Sequence, residues 1–142
     1  MKKFELTGEF VINIFGKKLF RIRALVAFGN VEAGELGGYV EKEDNLSDDG
    51  NAWVSGNARV SGNAWVYGDA DILQITGLGT VHRTTTVFRT TDGIRIACGC
   101  FFGDLDAFRE QVKKTREGKV QREYLKFADL VEIYFGEDKE DE

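Results

Sequence analysis

Apolar and polar positions recur with a period of six across residues 50–72, which read GNAWVS, GNARVS, GNAWVY and GDADI. Gly50, Gly56, Gly62 and Gly68 open the phrases, followed by Asn51, Asn57, Asn63 and Asp69. Ala52, Ala58, Ala64 and Ala70 come third, and Val54, Val60, Val66 and Ile72 fifth. On a strand, residues two apart point to one side, so the small alanines and the branched valines are predicted to share an inner face. Gly-Asn and Gly-Asp supply the turns, because positive φ is open to glycine and tolerated by asparagine and aspartate. A hexapeptide period of this kind predicts a parallel β-helix built from triangular coils. Residues one coil apart would then stack, with Trp53 beside Asp71 and Ser55 beside Leu73.

The register reaches back into residues 38–49. Val40 and Leu46 stand where the later alanines stand, and Lys42 and Asp48 occupy valine positions. These early phrases are degenerate, which limits the helix to about two to three coils. Residues 9–14 and 19–23 flank Gly16-Lys17-Lys18 and predict a hairpin with Phe10, Ile12 and Ile14 on one face. Stacked repeats need a cap, and this hairpin is expected to cover the first coil.

The repeat fades after Ile72. Residues 80–89 are rich in β-branched side chains, Asp92-Gly93 forms a tight turn, and residues 94–98 return as a second strand. Asp104 is an N-cap for a helix carrying Leu105, Phe108 and Val112 to about Arg116, with Gly118 as its stop. A second helix places Tyr124, Phe127, Ala128, Val131 and Tyr134 on one stripe. The predicted organisation is an N-terminal hairpin cap (1–28), a hexapeptide-repeat β-helix (29–76), a ββαα module (77–136) and a solvated acidic tail (137–142).

Composition narrows the functional classes. A net charge of −5 argues against general binding to a nucleic-acid backbone. No apolar run approaches a membrane span, and no signal peptide opens the chain, so the cytoplasm is the expected compartment. The two cysteines, Cys98 and Cys100, do not make a disulfide framework. On a strand both would face one way and pack as small hydrophobes. Zinc takes about four ligands, and with a single histidine in the chain no metal or cofactor is expected.

Several segments together carry a resemblance: Leu19-Phe20-Arg21-Ile22, Phe28-Gly29-Asn30-Val31, Leu36-Gly37-Gly38-Tyr39-Val40-Glu41, Asn45-Leu46-Ser47 and the Gly-Asn-Ala phrases. With these the chain resembles the YdcK-like hexapeptide-repeat proteins of bacteria and their phages. Thr84-Thr85-Thr86 and Cys98-Gly99-Cys100-Phe101, followed by a Leu/Phe helix, resemble the C-terminal module of phage members. The resemblance covers about residues 4–130. It implies a left-handed parallel β-helix and a homo-oligomer, a trimer, in the host cytoplasm if phage-encoded. This chain has far fewer coils than the longer members, and the resemblance implies little about chemistry.

Hexapeptide β-helices include acyltransferases, in which a histidine takes a proton near neutral pH. His82 is the one candidate, and it lies outside the coils. Its strand is more informative. Alternation places His82, Thr84, Thr86 and Phe88 on one face, and Arg83, Thr85, Val87 and Arg89 on the other. Guanidinium and hydroxyl groups suit phosphate oxygens, and a nearby aromatic can stack a base. Threonine and valine are also simply good strand formers. Trp53 and Trp65 project from different faces of the repeat and need cover, from another subunit or the terminal segments, or act as a ligand platform.

The expected function is a non-catalytic oligomeric binding protein of phage or prophage type. Its sharpest form sequesters a small anionic ligand, such as a signalling nucleotide of host immunity. That form rests on the phage resemblance and on the His/Arg/Thr strand. The ligand would lie between subunits, with Arg83 and Arg89 on phosphates, Thr84 and Thr86 donating beside His82, and Trp53 or Trp65 stacking. Two readings stand beside it: an acyltransferase with His82 as base, and a structural module that binds a protein partner.

Overall fold

Alternating side chains at the start of the chain pair as an antiparallel hairpin, β1 (Phe4–Ile12) with β2 (Lys18–Ala24). The computed structural model describes residues 2–80, 83–99 and 101–136. Asn13 closes the hairpin by accepting the backbone N–H groups of Phe15 and Lys17 on its Oδ1, an Asx-type turn. β2 pairs antiparallel with β3 (Leu36–Val40), and β3 pairs parallel with β4 (Arg59–Val60), so a mixed sheet runs β1-β2-β3-β4. The hairpin therefore adds to the sheet edge and does not lie across the end of a coil. Phe10, Ile12 and Ile14 remain exposed.

The repeat buries most of its predicted inner face: Ala52, Val54, Ala58, Val60, Ala64, Val66 and Ile72 are buried in one core with Phe4, Ile22, Val40 and Leu46, whereas Ala70, in the turn Asp69–Asp71, is exposed. The repeat does not wind into a left-handed parallel β-helix. Among the described residues parallel pairing is confined to Tyr39–Arg59, Val40–Val60 and an isolated bridge from Leu46 to Val66. Most of the backbone between these points turns and is not strand. Trp53 consequently packs edge-on against Phe28, and Ser55 exchanges hydrogen bonds with Gln74, instead of the stacking a regular coil would give.

After Ile72 the Gly-Asn punctuation stops and the branched run ILQITGL begins. It forms β5 (Ile72–Leu78), which pairs antiparallel with β6 (Arg83–Thr90). An antiparallel partner needs only a short connection, whereas a further parallel coil needs a longer crossover. β7 (Gly93–Cys98) and β8 (Phe101–Gly103) complete an antiparallel sheet in the order β5-β6-β7-β8. Among the described residues the fold is thus two open four-stranded sheets with two helices. Neither sheet closes or coils. The C-terminal module has four strands where the sequence suggested two, because the end of the repeat and the residues after Cys98 both join the sheet.

Two glycines explain how the repeat lies against β3. A Cβ on Gly37 would sit 2.5 Å from the Val54 carbonyl oxygen, and one on Gly38 2.5 Å from that of Ala58. Glycine here admits a crossing backbone and does not mark a turn.

Helix α1 (Leu105–Thr115) starts where Asp104 accepts the Ala107 N–H at 2.8 Å, and α2 (Gly118–Tyr134) packs against it. Phe108, Val112, Tyr124, Phe127, Ala128 and Val131 form a second core with Val87 and Ile96 of the antiparallel sheet. β6 is the wall between the cores: Phe88 enters the first, and Val87 the second. No helix among the described residues is long and apolar enough to cross a membrane.

Candidate anion-binding site

The alternation of β6 decides which of its side chains reach which side. Thr86 and Phe88 turn toward the repeat, while Thr85 and Val87 turn toward the helices. Thr86 is buried, and its hydroxyl accepts the backbone N–H of Arg59 at 3.0 Å. That bond fixes β4 against β6 and carries the Arg59 side chain to the seam between the halves. Arg83, at the start of β6, lies against Gly99 in the turn after β7. Gly99 holds a positive φ of 58°, and a Cβ there would collide with the Arg83 guanidinium. The glycine serves two ends, a left-handed turn and a seat for a planar cation.

Arg59 and Arg83 border a cleft of about 290 Å³, with Asn57, Thr76, Thr84 and Gly99 around it. Thr76 and Thr84 share a hydroxyl–hydroxyl hydrogen bond of 2.7 Å. Among the described residues no carboxylate lines this cleft and neither arginine forms an ion pair. On a chain of net charge −5, two arginines bordering one cleft, with no ion-pair partner among the described residues, concentrate positive potential there. Both are planar forks able to bond an oxyanion with two hydrogens each.

Arg83 also borders a second cleft of about 260 Å³ between β8 and α1, shared with Cys98, Phe101, Phe108, Gln111, Arg116 and Tyr124. Phe101 meets Phe108 edge-on at 5.5 Å, and Phe108 meets Tyr124 at 5.9 Å, so its floor is aromatic. Thr85 donates to the Cys98 sulfur at 3.2 Å, which in turn faces the Tyr124 hydroxyl at 3.9 Å. Burial, with the Cys98 thiol adding to it, pushes the Tyr124 phenol up to about 12, while Arg83 and Arg116 pull against that rise. The phenol is therefore a neutral hydrogen-bonding group at physiological pH.

The structure brings together three of the residues singled out in sequence, Arg83, Thr84 and Thr86, around the first cleft. It sets Arg89, Trp53 and Trp65 apart from that cleft. Arg89 lies six positions along the strand from Arg83, about 20 Å at the strand rise. There it pairs with Asp71 at 2.9 Å and covers the Phe135 ring. Trp53 is half-buried, and its indole nitrogen is enclosed without a hydrogen-bond partner among the described residues. Trp65 is exposed and packs edge-on with Tyr67 at 4.3 Å. His82 and Cys100, and with them the acyl-transfer reading, lie outside the described residues, as does the tail 137–142.

Arg59 and Asn57 escaped the sequence reading, as did Gly99 in its role as a seat. Arg59 left a signal: it stands at the repeat position that Trp53 and Trp65 hold in the neighbouring phrases. Among the described residues no group of three or more His, Cys, Asp or Glu side chains is placed to hold a metal ion. No family model, curated protein or solved structure matches this chain.

Proposed function

We propose that this protein binds and sequesters a small phosphate-bearing anion, without turning it over, in the cleft between Arg59 and Arg83. The observation that carries the reading is a pair of arginines bordering one cleft of an acidic chain, with neither an ion-pair partner nor a lining carboxylate among the described residues. Thr84 and Asn57 add neutral donors beside them. Thr86 acts at one remove, by holding the Arg59 backbone. Arg89 is committed to Asp71 and stands outside the site.

Calorimetric titration of the purified protein with pyrophosphate tests this directly. Binding that weakens with added salt is expected, together with recovery of the ligand chemically unchanged. Each charged hydrogen bond contributes about 1.5–3 kcal/mol, so Arg83→Ala should weaken binding roughly ten- to a hundredfold, and Arg59→Ala similarly. Full affinity in both variants would remove the site.

The exposed apolar row Phe10, Ile12 and Ile14 on the outer hairpin favours a second reading, in which the chain assembles with copies of itself or with a protein partner. The mass of the titrated sample decides the first of these: a single-chain mass at working concentration excludes self-assembly.

A further inference from the structure

We infer that the anion cleft is one half of a two-part site, and that its ligand is a nucleotide-like phosphate ester carrying a flat aromatic ring. This rests on the anion-binding reading above and extends it. The clefts of about 290 and about 260 Å³ share Arg83 and Cys98. They open on opposite faces of the antiparallel sheet, the first toward the repeat and the second toward the helices, and meet at its end around Arg83. Their chemistries are complementary. The first offers two guanidinium groups and hydroxyls. The second has the rings of Phe101, Phe108 and Tyr124 as its floor and Gln111 and Arg116 at its rim.

A flat ring suits the second cleft better than an alkyl chain. Phe101, half-buried, offers its ring to a π-system and is backed by the buried rings of Phe108 and Tyr124, and the Arg116 guanidinium can lie over the face of that system. The Gln111 amide makes no side-chain hydrogen bond among the described residues, so both its donor and its acceptor are open to the edge of a base. Arg83, at the junction, meets a phosphate on one side and the attached ring on the other.

Four classes of probe separate this from the anion reading: pyrophosphate, adenosine and guanosine diphosphates, the free nucleosides, and octyl phosphate. They are titrated into the wild-type chain and into Gln111→Trp. Gln111 is exposed on α1, so the bulky indole fills the second cleft without entering the core, and the circular-dichroism melt verifies folding. At least one diphosphate is expected to bind tenfold or more tighter than pyrophosphate and octyl phosphate. Gln111→Trp should erase that advantage while leaving pyrophosphate affinity unchanged. Equal affinities for pyrophosphate and both nucleotides overturn the two-part site and leave the anion cleft standing. Octyl phosphate matching the best nucleotide overturns the aromatic assignment. No binding of any phosphate overturns both readings together.

Discussion

Asn45 shows how much one side chain settles in a region with little regular structure. It is fully buried, and its amide is completely used. Oδ1 accepts the N–H groups of Glu41 and Lys42, while Nδ2 donates to the carbonyls of Gly62 and Ala64 at 3.2 and 3.1 Å. One amide thus stands in for the ladder bonds that this stretch lacks. Asn45→Leu keeps the volume and leaves buried backbone groups without partners. A single unsatisfied group costs about 1–3 kcal/mol, so a loss of about 2–4 kcal/mol is expected from the urea midpoint at unchanged slope. A loss below about 1 kcal/mol would mean that water takes over those bonds. Nothing local in Asp44-Asn45-Leu46 announces this role, because two of its four partners lie in a later phrase. Arg59 is the opposite case: its substitution for a repeated tryptophan is visible in the sequence, but the cleft it faces is made by a strand that the repeat does not contain.

At the scale of elements, the clasp between the turn at Asp69–Asp71 and β6 joins the end of the repeat to the antiparallel sheet. Asp71 accepts the N–H groups of Tyr67 and Gly68 and pairs with Arg89. Burial alone would raise its carboxyl. The two N–H groups and the guanidinium outweigh burial and hold it below its ordinary value of 3.8. The folded chain therefore keeps this carboxylate charged to lower pH than the unfolded chain does. Its stabilising contribution is complete above about pH 4 and is lost as pH falls through the folded value. Urea midpoints followed from pH 6 to pH 2.5 should fall at the acid end for the wild type. Asp71→Asn should start lower and fall less, and parallel curves would deny the clasp any linkage. Elements with strong local codes were legible: Asp104 caps α1, and Tyr124, Phe127, Ala128 and Val131 form the buried stripe of α2, although Tyr134, expected on the same stripe, is exposed. β5 was not, because Ile72 closes a hexapeptide phrase and opens a strand at once, and only its pairing with β6 chooses between them. The inward Ala and Val positions follow from the period of two alone. The winding of the backbone between them depends on turn geometry that the same residues leave open.

For the whole molecule, the question is whether two sheets and two cores behave as one unit, since Arg59 comes from one and Arg83 from the other. β6 bonds to both sides. It gives the Arg89 carbonyl to Trp65 and the Thr86 hydroxyl to Arg59, and it sends Phe88, fully buried, into the repeat core. Val87, its neighbour, is equally buried among the helices. A strand whose alternate residues complete different cores cannot leave one without exposing the other. The two halves carry separate probes, because Trp53 and Trp65 both lie in the repeat, and α1 and α2 both lie beyond it. Tryptophan fluorescence and the far-ultraviolet helical signal should therefore trace coincident denaturation curves. Phe88→Ala opens a cavity in the repeat core worth about 3–5 kcal/mol and should move both curves together by the same amount. If the variant's tryptophans unfold while the helical signal holds, β6 does not couple the cores. The cleft between Arg59 and Arg83 would then be assembled only by docking of two separable parts, and anion affinity would fall with the stability of that docking.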